Sequence, residues 1–248
     1  MPAYTTEAIV LRTYDIAEND RLLSVFTRDF GKIRGTAMGC KRVKEGNLAW
    51  QDIGAYISIH FYEREGSELA RFTRWQLLDH FQKKPKLSNL LHHMYLIELL
   101  SEFSSERNPS PDIFRLALAV LRPLGLDAPP ILLTRYFEYW LLRLEGLWPG
   151  MSRCASCSHA LFRQQGAFSP QSLRIYCRNC APPKSLLLEC QDFEWLDTFT
   201  KRAPQDLPFG KTCLPTMAKM ESIIQTLIQR HLEHDLKSYS IIKELVAA

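Results

Sequence analysis

Residues 6–39, TEAIVLRTYDIAENDRLLSVFTRDFGKIRGTAMG, decide the fold of the N-terminal part of the chain. They contain three short runs rich in Ile, Val, Leu, Phe and Thr, which are residue types common in strands. Gly31 and Gly39 follow the second and third runs and mark turns. Two further runs, AYISIHFY at residues 55–62 and LARFTRWQLL at residues 69–78, raise the number of predicted strands to five.

The run AYISIHFY indicates how these strands are buried. Ile57, Ile59 and Phe61 alternate with more polar residues, which is typical of a strand with one exposed face. Five such strands favour a small Greek-key barrel of the oligonucleotide-binding (OB) type, because a closed barrel leaves no unpaired strand edge.

After Pro85 the apolar residues recur every three or four positions, as on one face of a helix. The pattern predicts six helices, over residues 87–104, 110–124, 129–146, 192–202, 214–234 and 238–246. We therefore predict an α+β protein with an OB-fold domain over residues 1–80 and an α-helical domain over residues 81–248. A small metal module, at about residues 150–185, interrupts the helices.

Four of the seven cysteines form two Cys-x-x-Cys pairs separated by 19 residues. Cys154, Cys157, Cys177 and Cys180 thus have the spacing of a tetrathiolate zinc site, with the linker as a small hairpin. Four thiolates fill a tetrahedron and leave no position for water, so this Zn²⁺ is predicted to be structural. Iron–sulfur ligation and redox dithiols are the alternatives.

The absence of known catalytic motifs argues against an enzyme, and the remaining cysteines suggest no mechanism. No His-x-Glu precedes a Pro-Cys-x-x-Cys, and neither Gly-x-Ser-x-Gly nor a Walker-type loop occurs. We therefore predict that the chain is not an enzyme, with a zinc-dependent nucleic-acid enzyme as the weaker alternative. Cys40, Cys190 and Cys213 each stand alone, and the default prediction is a buried apolar thiol.

Charge is concentrated near the N-terminus, although the whole chain carries only +4. Between residues 21 and 44 a single acid, Asp29, accompanies seven bases: Arg21, Arg28, Lys32, Arg34, Lys41, Arg42 and Lys44. Such a patch favours binding of a nucleic-acid backbone by neutralising phosphates, and a solvated surface without a partner is the alternative. Tyr14, Tyr56 and Phe61 are candidates either for stacking on bases or for the barrel core.

Three segments in this order resemble the RecO family of bacterial recombination mediators of the four-cysteine type. They are EAIVLRTYDIAENDRLLSVFTRDFGKIRGTAMGCKR at residues 7–42, RYFEYWLLRLEGLWP at residues 135–149, and HLEHDLKSYSIIKEL at residues 231–245. The second segment runs directly into the first cysteine pair, and the resemblance extends over nearly the full length of the chain, from the first segment to the third.

The resemblance implies a DNA repair and recombination role. Members bind single- and double-stranded DNA, anneal complementary strands, and help load RecA onto DNA coated by single-strand-binding protein. The implied partners are RecR, in some cases RecF, and the C-terminal tail of the single-strand-binding protein. A protein-interaction adaptor braced by zinc, without annealing activity, is the alternative from a different class.

The helix after Pro130 is the candidate for binding that tail. Arg135, Tyr139 and Leu142 share a helical face, and Arg143 extends it. A cation beside an apolar groove suits a peptide that ends in a hydrophobic residue and a carboxylate. The alternative is that Tyr139 and Leu142 belong to the core and that Arg135 only lies along it.

The start of the chain has no basic segment typical of a signal peptide, and no apolar run reaches the roughly 18 residues of a membrane span. With the implied DNA partner, this predicts a cytoplasmic, nucleoid-associated protein without membrane contact.

Overall fold

The computed structural model describes residues 2–41, 48–63, 66–67, 69–81, 86–126, 128–161, 165–211 and 214–247. The chain divides into two compact units. The first unit comprises Met1–Asp127 and Leu236–Ala248, and the second unit is Ala128–Asp235.

A closed five-stranded barrel forms most of the first unit. Its strands are β1 (Ala3–Asp15), β2 (Arg21–Thr27), β3 (Gly31–Ala37), β4 (Tyr56–Tyr62) and β5 (Ala70–Asp79). The order around the barrel is β1-β2-β3-β5-β4, with β4 pairing back to β1 and only β3 and β5 running parallel. This is the Greek-key order of an OB-fold, so the predicted small barrel is confirmed.

The alternation predicted for the fourth strand is present in β4. Ile57, Ile59 and Phe61 are buried in the barrel core, whereas His60 and Tyr62 are exposed on its outer face. Tyr56 departs from the alternation, because its ring is buried beside Phe81 and Phe114.

β1 is buried on two sides. Its register against β2 shifts between Val10 and Arg12, where a bulge adds an extra residue. Ala8 and Val10 point into the barrel core, and helix α1 (Leu87–Phe103) packs against the same strand. Four consecutive residues, Ala8 to Leu11, are therefore buried in a strand that also pairs on both edges.

Gly31 allows the chain to pack closely at the start of β3. Its φ is +69°, and an added Cβ would lie 2.4 Å from the carbonyl oxygen of Asn108. The segment around Asn108 is held there by the main chain of Lys32, whose N–H donates to Ser105 O over 3.2 Å and whose carbonyl accepts from Arg107 N over 3.1 Å. A side chain at position 31 would push this segment away from β3.

Two more helices complete the first unit. α2 (Pro111–Gly125) and α6 (Lys237–Ala247) both pack against α1. Glu98 on α1 accepts hydrogen bonds from the N–H groups of Lys237 and Ser238, at 3.1 and 2.9 Å, and so caps the N-terminus of α6. The predicted boundary near residue 80 marks the change from strand to helix, while the compact first unit continues beyond it and includes the last helix.

The second unit combines three helices with a small sheet. The helices are α3 (Pro130–Leu144), α4 (Cys190–Lys201) and α5 (Leu214–Leu232). The strands β6 (Gly166–Ser169), β7 (Arg174–Cys177) and β8 (Leu186–Leu188) form an antiparallel sheet in the order β7-β6-β8. β6 and β7 are the hairpin predicted between the cysteine pairs.

All six predicted helices are present, with small shifts at their ends. α4 begins at Cys190 rather than at Asp192, because Asp192 is the N3 residue of a capping box and accepts from Glu189 N over 2.8 Å. In the part of the chain that the structure describes, no helix combines the length and apolar character needed to traverse a lipid bilayer.

Candidate metal centre and nucleic-acid interface

The two cysteine pairs meet in the second unit. The sulfur atoms of Cys154, Cys157, Cys177 and Cys180 all lie within 4.8 Å of one another. Cys157 Sγ is 3.8 Å from Cys177 Sγ. A Zn–S bond of about 2.3 Å gives a tetrahedron edge of about 3.8 Å, so the donor set fits a tetrathiolate metal centre.

Backbone hydrogen bonds shape the first cysteine pair into a tight turn. Ser158 N donates to Cys154 O over 3.0 Å, and Cys154 N donates to His159 O over 2.8 Å. Ser158 closes the turn with a φ of +60°. Ala155 N donates to Ile175 O over 2.9 Å, which fastens this turn to β7 and brings the two pairs together.

The same backbone favours the thiolate form of Cys154. Burial raises the pKa of this thiol, but backbone hydrogen bonds from Cys157, Cys177 and Ser156 outweigh burial and lower it to about 6. Hydrogen bonds among the clustered thiols act in the opposite direction on Cys180, whose pKa they raise to about 12, so without a metal ion the cluster favours one thiolate among thiols.

Glu189 connects the metal module to α4. Its carboxylate accepts from Gln165 Nε2 over 2.9 Å and from Arg178 over 3.1 Å, while it also caps α4. Arg178 follows Cys177 directly, so the second cysteine pair is tied to the start of the helix. The cysteine module is thereby positioned by the body of the second unit.

The three single cysteines differ in burial. Cys40 is buried in the barrel core, as predicted, and desolvation raises its pKa. Cys190 is exposed, so the prediction of a buried thiol is wrong there. It opens α4, whose first turn lies at the surface, and it lines a pocket together with Cys157, Cys177 and Cys180. Cys213 lies outside the described residues.

Two of the predicted DNA-binding cations share one carboxylate. Arg21 Nε and Lys41 Nζ lie 2.8 and 2.9 Å from Asp15 Oδ1. These hydrogen bonds, that from Lys41 first and then that from Arg21, hold the pKa of Asp15 below its usual range. Both cations therefore already have an anionic partner.

Two others each pair with an acid that lies far away in sequence, and Arg28 also pairs with its neighbour Asp29. Arg28 lies 3.3 Å from Glu7 and 3.2 Å from Asp29. Arg34 lies 2.9 Å from Glu106. All of these pairs are largely exposed, and exposed ion pairs add little stability, so a phosphate can replace the carboxylate.

Lys32 is placed differently from the arginines. Its Nζ donates to Ser101 O over 2.9 Å, and burial of the side chain lowers its pKa. Arg42 and Lys44 lie outside the described residues. The charge excess of residues 21–44 is thus reduced in the fold by acids from other strands and loops.

The three candidate stacking rings differ in exposure, with one at the surface and two buried. Tyr14 is 49% exposed, whereas Tyr56 and Phe61 are buried. Two exposed arginines on β5, Arg71 and Arg74, did not enter the prediction, because the charge count stopped at residue 44. The signal that identifies them is the strand pattern of residues 70–78, which contains two arginines and no acid.

The candidate tail-binding residues on α3 form two groups, one enclosed in the core and one that lines a cavity. Arg135 is only 4% exposed and lies 2.6 Å from the buried carboxylate of Glu138, which also accepts from Gln225 over 3.3 Å. Leu142 is fully buried. Neither side chain reaches a surface ligand, because this ion pair and the core enclose them.

Tyr139 and Arg143 do reach a cavity. Arg143 donates to the Tyr139 hydroxyl over 2.7 Å, and its guanidinium lies 5.0 Å from the Trp140 ring centroid. Both residues line a pocket of about 770 Å³ in the second unit. Its other lining residues include Trp148, Met151, Phe193 and Leu196, together with the acids Glu194 and Asp197.

Comparison with known proteins agrees with this architecture. The family model described as Recombination protein O N terminal matches residues 1–81, and that described as Recombination protein O C terminal matches residues 84–240. The first match contains the barrel, and the second begins just before α1 and contains the cysteine module.

Curated relatives give the same result. The DNA repair protein RecO of Koribacter versatilis is 27% identical, over 97% of this chain and 98% of the relative. That of Desulforamulus reducens is 26% identical, over 99% and 96%. That of Dehalococcoides mccartyi is 31% identical, over 71% and 70%. The chain therefore belongs to the RecO family of DNA repair proteins.

Proposed function

We propose that this protein is a DNA repair and recombination mediator that binds single- and double-stranded DNA and anneals complementary strands. With RecR, and in some settings RecF, it helps load RecA onto DNA coated by single-strand-binding protein, in the cytoplasm and on the nucleoid. The observation that carries the proposal is the match of both RecO family models, which together extend from residue 1 to residue 240. An OB-type barrel is also a fold used for binding oligonucleotides.

Cations on the barrel are proposed to bind the DNA backbone. Each phosphate that an Arg or Lys side chain neutralises releases counterions, which gives affinity with little sequence preference. Bare complementary strands repel each other, so a protein that neutralises both accelerates their pairing. No covalent step is required, and the proposed activity is not enzymatic.

The metal is proposed to be a structural Zn²⁺ held by the four clustered cysteines. A tetrathiolate ion has no open coordination position, so it supplies no activated water. Its role is to hold the two turns and the β6–β7 hairpin together in the second unit. Loss of the ion is then expected to change stability rather than one chemical step.

The pocket beside Tyr139 and Arg143 is the proposed site for the tail of the single-strand-binding protein. Trp148 and Phe193 offer apolar surface for a hydrophobic terminal residue, and the Arg143 guanidinium can bind a terminal carboxylate. Arg135 is proposed to hold α3 against α5 through Glu138 and Gln225, rather than to contact the tail.

Strand annealing tests the main proposal. Two complementary labelled oligonucleotides are mixed with and without the protein, and duplex formation is followed by energy transfer. We expect faster pairing that declines as salt rises. Equal rates with and without protein contradict the proposal and favour an interaction adaptor, while turnover of a nucleic-acid substrate favours an enzyme.

Binding of a tail peptide tests the pocket separately. Arg143→Glu is expected to weaken the binding of a labelled acidic peptide with a hydrophobic C-terminus at least tenfold. Arg230→Glu, the same change at an exposed arginine of α5, serves as the control. Equal affinities in the two variants contradict this site and leave the annealing proposal standing.

A further inference from the structure

The outer face of β4 and β5 carries exposed positive charge. β5 exposes Arg71 and Arg74, and β4 exposes His60 and Tyr62 beside them. Neither strand contains an acidic residue before Asp79. Among the residues that the structure describes, Arg71 and Arg74 have no ion pair, in contrast to the arginines of residues 21–34.

The strand register organises these side chains into two rows. Arg71 is paired with Tyr62, and Arg74 is paired with His60. A bulge between the pairs of His60 and Phe61 places two arginines that are three residues apart on the same face. Cross-strand neighbours have Cβ atoms about 5 Å apart, and the rows are separated by about 7 Å along the strand. Each row thus combines a guanidinium with a ring.

The Tyr62 ring is available to a ligand. It is 40% exposed and lines a pocket of about 570 Å³. Arg71, Leu69 and the hydroxyl residues Thr36 and Thr73 line the same pocket. The pocket therefore offers a cation, an aromatic face and small hydrogen-bonding groups side by side.

Acidic residues bound this face at one end. Glu63, directly after β4, is paired with Arg107, which reduces its repulsion of an anion. Glu65 and Glu68 of the same connecting segment lie outside the described residues. Among the described residues, the acid nearest this end of the face, Glu63, is thus already paired with a cation.

We infer that the β4–β5 face binds single-stranded DNA, with Arg71 and Arg74 on successive phosphates and Tyr62 stacked on an unpaired base. This inference rests on the proposed function and gives it a location. Free guanidinium groups match the charge of the backbone, and a stacking ring selects a single strand because the bases of a duplex are already stacked. Phosphate contacts and stacking on a ring are both possible with any base, so the binding is expected to depend little on sequence.

Salt-dependent binding of the full-length protein tests the inference. The probe is a labelled oligothymidine of about 15 nucleotides, followed by fluorescence anisotropy. Arg71→Ala/Arg74→Ala is compared with Arg115→Ala/Arg230→Ala, which removes the same charge from exposed positions on α2 and α5. In a plot of log affinity against log salt concentration, we expect only the first variant to have a slope that is smaller in magnitude, by about 1.4. The same variant is expected to bind about 25-fold more weakly than the wild type at 0.1 M salt.

Tyr62→Leu separates stacking from charge. It is expected to weaken binding about fivefold or more at every salt concentration without changing the slope. Arg71→Gln/Arg74→Gln keeps the side-chain length and repeats the charge test if the alanine variant melts early. If the wild type binds but the arginine variants match the control, the inference is overturned and the proposed function stands. If the wild type itself does not bind, the proposed function fails.

Discussion

His93 is expected to make the stability of the first unit sensitive to mild acid. The residue is 2% exposed on α1, and neither ring nitrogen has a hydrogen bond of normal geometry to the residues that the structure describes. Gly54 presses against it so closely that an added Cβ would lie 1.9 Å from His93 Nε2. Burial, with repulsion from His80, lowers the His93 pKa from 6.5 to about 4, and a backbone group of Ile53 offsets only part of this.

The sign and the size of the effect follow from proton linkage. Since the folded pKa lies below the unfolded value, the unfolded chain binds more protons between pH 6.5 and about 4. The stabilisation is complete above pH 6.5 and is lost as the pH falls. A difference of roughly 2.5 pKa units gives about 2 kcal/mol lost between pH 7 and pH 5, and about 3 kcal/mol below pH 4.

His93→Leu tests this directly, because leucine fills the site without a titrating group. The free energy of unfolding is measured by urea denaturation at pH 7 and pH 5, and hydrogen exchange of α1 amides reports the first unit alone. The wild type is expected to lose about 2 kcal/mol more than the variant over this interval. His60→Gln, at an exposed position on β4, is the control. Equal losses in the wild type and His93→Leu refute the reasoning.

Three further predictions concern metal, backbone and the buried ion pair. Cys177→Ser is expected to abolish binding of one zinc ion per chain, measured by atomic absorption. With zinc present at about 1,000 times its Kd, the substitution is expected to lower the free energy of unfolding by about 4 kcal/mol. An unchanged melting temperature contradicts this. Gly31→Ala is expected to cost at least about 3 kcal/mol in urea, against about 1 kcal/mol for Gly39→Ala, which also has positive φ but no atom within 4 Å of an added Cβ. Arg135→Leu is expected to cost about 3–5 kcal/mol by leaving Glu138 buried without its cation, and Arg135→Leu/Glu138→Leu to recover most of it; equal losses argue against the pair.

The barrel could be predicted because its strands follow a simple rule of burial. In β4, Ile57, Ile59 and Phe61 face one core, so their period of two is visible in the sequence. β1 does not follow the rule, because the bulge near Val10 and the packing of α1 bury both of its sides. The continuous run of apolar residues from Ala8 to Leu11 identifies a strand, but only the fold reveals what covers each face.

The cysteine ligands could be predicted because their spacing is local and their chemistry is specific. The surface sites are harder, because charge is balanced across the fold rather than along the chain. Arg34 is neutralised by Glu106, which lies 72 residues away. Arg135 is buried because it pairs with Glu138. Glu138 in turn is buried against α5, where Gln225 donates to it, and the periodicity of α3 alone does not reveal this contact. A count of basic residues along the sequence therefore points to residues 21–44. It does not identify the β4–β5 face, where the described Arg71 and Arg74 have no ion pair.

The distinction between paired and free cations matters for annealing. A free arginine on the β4–β5 face can meet a phosphate directly, whereas Arg21 and Lys41 must first give up Asp15. In the proposed complex the displaced carboxylate would remain beside the incoming strand and repel it, so a contact there would be weaker than one on the β4–β5 face. If the proposed function is correct, one strand is held on the free cations while its complement is sampled on the paired ones. Such an arrangement also eases release of the duplex, because Asp15 recovers both cations as soon as the phosphate leaves.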